Sequence, residues 1–70
     1  MHAEKSRLTL PEIMRELGET RATIERLVQE NAWRIGPPER AGIIRTWPTD
    51  VVQTLRVVLE EERRRRDQRR

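Results

Sequence analysis

Residues 8 to 30, LTLPEIMRELGETRATIERLVQE, decide the fold, because they hold two short amphipathic helices separated by a glycine turn. Thr9 followed three residues later by Glu12 forms a capping box, and Pro11 falls in the first turn, where its missing N–H costs nothing. At 3.6 residues per turn Leu10, Ile13, Met14 and Leu17 share one face. Gly18 follows as the residue that takes a left-handed C-terminal conformation, so the first helix is predicted over residues 10 to 17. Thr20 is a second N-cap, and the stripe Ile24, Leu27, Val28 predicts a second helix over 21 to 31.

Two short helices joined by about three residues cross steeply as a helix-turn-helix. Downstream, Trp33 to Ile35 and Ile43 to Trp47 are β-compatible stretches on either side of Gly36, Pro37, Pro38, Glu39, Arg40, Ala41 and Gly42. They predict a two-stranded hairpin, a wing, with a long stiffened loop and Arg40 at its tip. Pro48 and Thr49 mark a third helix from about residue 49. Val51, Val52, Leu55, Val58 and Leu59 lie on its inner face and Val57 points away. The same stripe continues as Glu62 and Arg66, so the buried part ends at Leu59 and the remainder is a charged, solvated extension. The expected class is mainly α with a small two-stranded β wing. It is organised as a lead-in over 1 to 7, a winged helix-turn-helix over 8 to 59, and a charged helical extension and basic tail over 60 to 70.

Composition restricts the function. Of 70 residues 15 are basic and 12 acidic, 34% are apolar, and there is no Cys, Phe or Tyr. One thin core of Leu, Ile and Val is all that this length allows, with Trp33 and Trp47 expected to close it. Without Cys there is no disulfide, no thiolate chemistry and no Cys-based zinc site, and a bare reduced chain suits a cytoplasm. The one histidine, His2, lies at an end expected to fray, and a lone imidazole makes neither a metal site nor an oriented acid–base pair. The expectation is binding, with no catalytic residue, metal or cofactor. No secretory apolar region and no membrane-spanning run of 18 apolar residues is read in the chain.

The net charge is +3 with a pI near 10.9, which suggests nucleic acid as partner. Its distribution is uneven. Six arginines against Asp67 give residues 63 to 70 a charge of +5, which leaves residues 1 to 62 at −2. Nucleic-acid binding by the body therefore rests on local arrangement.

The order helix, glycine turn, helix, hairpin, helix, with LTLPEI at 8 to 13, TRATIERL at 20 to 27 and RTWPTDV at 45 to 51, resembles the winged helix-turn-helix of the MerR and excisionase superfamily. The resemblance covers residues 8 to 59. It implies that the second helix enters the major groove and that the wing touches flanking backbone or minor groove. Members act as transcription regulators or as recombination directionality factors, and phage terminase small subunits use a similar module. The short apolar stripe of the third helix cannot sustain a coiled coil, so the excisionase branch fits better than the dimeric MerR regulators. By this resemblance Arg21, Ala22, Thr23 and Arg26 match recognition-helix positions, and Arg45 matches the basic residue leaving the second wing strand.

The residues themselves support the same site. Ala22, Thr23, Arg26, Gln29 and Glu30 face away from the Ile24, Leu27, Val28 stripe. Arg offers two donors to guanine O6 and N7, Gln does the same for adenine, and Ala or Thr lets a thymine methyl approach. The alternative for this face is an ordinary solvated surface, which Glu25 and Glu30 favour. Arg34, Arg40 and Arg45 make the wing the most basic part of the body, suited to phosphates or a narrow minor groove; alternatively Arg34 and Arg45 pair with helix glutamates. Arg63, Arg64, Arg65 and Arg66 suit phosphate clamping, RNA or an acidic protein partner, and Glu60, Glu61 and Glu62 can pair with them at i, i+4. Double-stranded DNA is thus the expected partner, with an integrase-like or other protein and weak, DNA-dependent self-association beside it. The rival expectations are a protein-interaction adaptor on the same fold and the DNA-recognition subunit of a phage packaging complex.

Overall fold

Thr9, Gly18 and Thr20 punctuate the first half of the chain. Residues 7 to 68 are described in a computed structural model; residues 1 to 6, with His2 among them, and Arg69 and Arg70 lie outside the described residues. The chain runs β1 (Arg7–Thr9), α1 (Leu10–Leu17), α2 (Arg21–Glu30), α3 (Ala32–Ile35), β2 (Glu39–Ala41), β3 (Ile44–Pro48) and α4 (Val51–Gln68). It is mainly helical with a small three-stranded antiparallel sheet in the order β1-β3-β2.

α1 starts where expected. Glu12 Oε1 accepts the Thr9 backbone N–H at 2.8 Å and the Thr9 hydroxyl at 3.1 Å. Gly18 ends the helix in the left-handed region, φ 65° and ψ 35°, and the Glu19 N–H closes on the Met14 carbonyl at 3.1 Å. α2 begins one turn later with the Thr23 N–H donating to Thr20 Oγ1 at 3.2 Å.

Among the described residues the buried apolar side chains come from α1 (Leu10, Ile13), α2 (Ile24, Leu27, Val28), β3 (Trp47) and α4 (Val51, Leu55, Val58). Each such side chain contributes about 1.5–3 kcal/mol by leaving water. Leu8, Met14, Leu17, Ile35, Val52 and Leu59 pack around them. Met14, Leu17 and Leu59 therefore lie where periodicity puts them, and Val57 is on the outside.

Four expectations need correction. Trp33 to Ile35 form no strand: they are the single helical turn α3, with Asn31 O accepting the N–H groups of Arg34 at 2.9 Å and Ile35 at 3.1 Å. Both edges of β3 are taken, by β1 with Leu8 opposite Trp47 and by β2 with Arg40 opposite Arg45, so the expected pairing with Ile43 to Trp47 does not form. Gly36, at φ 75°, ends the turn and Pro37 prevents its renewal.

The second correction concerns the sheet, which has three strands because Arg7 belongs to β1 and not to the lead-in. Its guanidinium donates to Thr46 Oγ1 and to the Thr46 carbonyl, each at 2.9 Å. Third, the β2–β3 connection is two residues, Gly42 and Ile43, so Arg40 lies within a strand and not at a loop tip. Gly42 has φ 67°, which suits the first central position of a tight hairpin turn. Last, Trp47 is fully buried but Trp33 is 81% exposed, since Ile35 is the residue of α3 that packs against the core. α4 continues as one helix past Leu59 through the arginines to Gln68.

Candidate nucleic-acid interface

The outward face of α2 is assembled by its inward one. With Ile24, Leu27 and Val28 fixed in the core, Arg21, Ala22, Arg26, Gln29 and Glu30 are exposed and Thr23 is half-buried. Thr23 is also tied down, its hydroxyl accepting from Thr20 Oγ1 at 3.0 Å. This sets a small residue, a hydroxyl, a guanidinium and an amide on one helical surface, the donor set that reads base edges.

Arg26 is held by carboxylates on both sides. It donates through Nη1 to Glu62 Oε2 at 2.9 Å and through Nη2 to Glu62 Oε1 at 3.1 Å, and Nη1 also reaches Glu30 Oε1 at 3.0 Å. The hydrogen bond from Arg26 keeps the Glu62 carboxyl below its usual range, and the nearby charges of Arg65 and Arg66 add to it. The same bond raises the Arg26 guanidinium above its ordinary value.

A second pair joins the hairpin to α2. Arg45 Nη2 donates to Glu25 Oε2 at 2.9 Å, and its guanidinium lies 5.5 Å from the centre of the Trp47 ring. Glu25 is pushed below the usual carboxylate range first by that hydrogen bond; Arg21, 3.7 Å away, contributes as well. Arg34 sits 5.5 Å over Trp33 and 3.7 Å from Glu61, and Arg64 is 3.8 Å from Glu60. Among the described residues Arg40, Arg63, Arg65 and Arg66 have no carboxylate within ion-pair distance.

The fold thus brings together groups that lie far apart in sequence. Thr23 and Arg26 of α2 share a groove of about 190 Å³ with Arg63 and Arg66 of α4, bordered by Glu19, Leu59 and Glu62. Arg21 and Arg45 share another, of about 340 Å³, with Ile43 and Ile44 of the hairpin and Pro11 and Met14 of α1. Arg40 is on the hairpin's outer strand, and Arg34 stands apart with α3 against Glu61.

The alternative that Arg34 and Arg45 pair with helix glutamates is what the structure shows, through Glu61 and Glu25, whereas sequence reasoning misses Glu62 as the partner of Arg26. Spacing alone pairs Glu62 within its own helix, and nothing local marks a bond to a residue 36 positions away. It also misses the exposed Ile43 and Ile44, whose residue type signals only strand formation. A larger concavity, about 670 Å³, is lined by Leu8, Glu12, Arg15, Glu16, Thr49, Val52, Gln53 and Arg56 and holds none of the predicted site residues. No cluster of three or more His, Cys, Asp or Glu suited to a metal occurs among the described residues, and no helix there is long and apolar enough to cross a membrane. Comparisons of the chain with protein-family models, curated proteins and solved structures gave no match.

Proposed function

We propose that this chain is a small winged helix-turn-helix DNA-binding protein, similar in kind to the excisionases and small regulators of the MerR superfamily. In this reading α2 lies in a major groove, and the β2–β3 hairpin is the wing, lying on flanking backbone or minor groove. α1, the Gly18 turn and α2 supply the helix-turn-helix. The observation that carries the reading is the convergence of Thr23 and Arg26 with Arg63 and Arg66 in one groove, which joins base-reading groups to phosphate-binding ones. A body this small covers few base pairs, so useful specificity requires cooperative copies or a larger partner such as an integrase-like enzyme. The role is binding and recruitment, with no chemistry of its own, in the cytoplasm.

One observation favours a second reading. Arg26, Arg34 and Arg45 each face a glutamate, which fits a protein-interaction adaptor whose body is internally neutralised. Fluorescence anisotropy of the full chain on random-sequence duplex DNA, from about 50 to 200 mM salt, separates the two. DNA binding gives a linear fall of log K with log salt, of slope about −4 to −5 for four to six phosphate contacts. Absence of binding at the lowest salt would overturn the DNA-binding reading and make the adaptor the better one.

A further inference from the structure

The chemistry of the β2–β3 turn conflicts with its position. Gly42 and Ile43 form the two-residue connection, and Ile43 is 95% exposed, with Ile44 beside it 52% exposed. Hairpin corners project into water and take Gly, Asn, Asp or Ser; a β-branched apolar residue there gains nothing for the fold. Neither isoleucine belongs to the core or packs against it. Local rules broken without a gain in stability are expected at functional sites.

The surroundings of the tip define what it meets. Arg40 and Arg45 are direct cross-strand partners, and like charges in that relation are destabilising. Arg45 is offset by Glu25, while Arg40 has no ion pair among the described residues. Ile43 and Ile44 also share a groove with Arg21, the first residue of α2, so the tip and the start of α2 open on the same concavity. An apolar point flanked by cations is complementary to a polyanion with an apolar interior. Two side chains are far too small for a stable protein interface, which needs about 800 Å² on each partner. The ribbon as a whole is too wide for a minor groove about 6 Å across, but a single apolar side chain projecting from its tip is not.

We infer that Ile43 is a wedge that enters the minor groove of duplex DNA and partly unstacks one base step, bending the duplex while Arg40 holds the adjacent phosphates. The inference rests on the DNA-binding reading above and adds to it the contact that deforms the site. Insertion of an apolar side chain bends DNA toward the major groove, and the flexible pyrimidine–purine steps TA and CA are the least costly to open. The wedge therefore confers a preference for such steps without any hydrogen bond to a base.

The test uses the full chain and a random-sequence duplex of about 30 bp, carrying a donor and an acceptor dye at its ends and 2-aminopurine beside a central TA step. Wild-type binding should shorten the end-to-end distance and raise 2-aminopurine fluorescence. Ile43→Ser should retain binding, weakened about tenfold or less, and lose both signals, while Ile43→Leu keeps them. Position 43 is exposed, so unchanged circular dichroism and melting temperature confirm the fold of each variant. Wild-type binding without bending, or an Ile43→Ser variant that bends DNA fully, overturns the wedge and leaves the DNA-binding reading standing. Failure of the wild type to bind duplex removes both. An Ile43→Ser change that alters only the sedimentation of the free protein assigns the tip to self-association and also overturns the wedge.

Discussion

Arg26 grips Glu62 with both terminal nitrogens, at 2.9 and 3.1 Å, across 36 residues of chain. The central guanidinium of the α2 outer face is therefore neutralised by α4, and shared with Glu30, before any ligand arrives. The pair is open to water, the Arg26 side chain being 44% and that of Glu62 21% exposed, so its effect on stability is small. In the proposed DNA-binding role its effect would fall on selectivity. An arginine that must give up a bidentate carboxylate gains net free energy only where another bidentate acceptor replaces it, such as the O6 and N7 edge of guanine.

From this pairing, Arg26→Ala should reduce discrimination between related DNA sites by about 1–3 kcal/mol, and Glu62→Gln should raise affinity for random duplex while narrowing the gap to preferred sites. Both variants should stay within about 1 kcal/mol of wild-type stability. Competition binding across a panel of single-base variants measures this. Relative affinities that Arg26→Ala leaves unchanged would remove α2 from base readout.

Gly18 gives a prediction about the fold alone. Its φ of 65° is unfavourable for any residue with a Cβ, yet a Cβ built there meets nothing within 4 Å. Gly18→Ala therefore carries only a backbone cost, about 1–2 kcal/mol. Urea unfolding followed by fluorescence should show the midpoint lowered and the slope unchanged. A neutral substitution would mean that the α1–α2 turn relaxes to another conformation.

Local signals are legible in the sequence and long-range ones are not. Thr9, Gly18 and Thr20 act on neighbours within one turn, so α1 runs over Leu10–Leu17 as expected and α2 over Arg21–Glu30, one residue short of expectation. The outward set Ala22, Arg26, Gln29 and Glu30 follows from helical geometry once Ile24 and Leu27 are buried. Trp33 to Ile35 mislead because the pairing expected for them, with Ile43 to Trp47, is taken on both sides of β3 by Arg7–Thr9 and Glu39–Ala41. Glu25 and Glu62 cannot be assigned to Arg45 and Arg26 from sequence, since only the tertiary packing of the hairpin and α4 against α2 sets those distances.

Those two glutamates predict a pH dependence. Each has its folded value lowered, by Arg45 and by Arg26 respectively, so in acid the folded state binds fewer protons than the unfolded chain. Their contribution is complete above the unfolded value of about 4.3 and is lost as pH falls through the lowered folded values. The melting temperature should drop between pH 5 and pH 3, and the double variant Glu25→Gln, Glu62→Gln should drop less. Equal acid limbs for the two proteins would show that these pairs do not persist in solution.

Arg40 separates binding from stability. It lies on β2 opposite Arg45, without an ion pair among the described residues, so Arg40→Ala relieves a like-charge repulsion and should leave the melting temperature unchanged or slightly raised. Binding to random duplex should weaken, with the salt slope reduced by about 0.9 for the single phosphate that Arg40 neutralises. If the melting temperature falls while the salt slope holds, Arg40 serves the sheet and not the DNA.

Truncation after Glu62 tests the basic end of α4. The helix carries Arg63 to Arg66 in a fixed frame, with Arg63 and Arg66 on the groove beside Arg26 and Arg64 directed to Glu60. Arginines that reach phosphates alone should, when removed, lower affinity almost equally for preferred and random DNA. Six arginines at about 0.9 each set a ceiling near 5 on the change in slope of log K against log salt, and pairing within α4 should reduce it to about 2–4. Loss of preference along with affinity would instead place Arg63 or Arg66 on base edges, as extensions of the α2 surface. A slope unchanged within error, with affinity intact, would assign the +5 of residues 63 to 70 to an acidic protein partner, and the high pI would then be no evidence for nucleic acid.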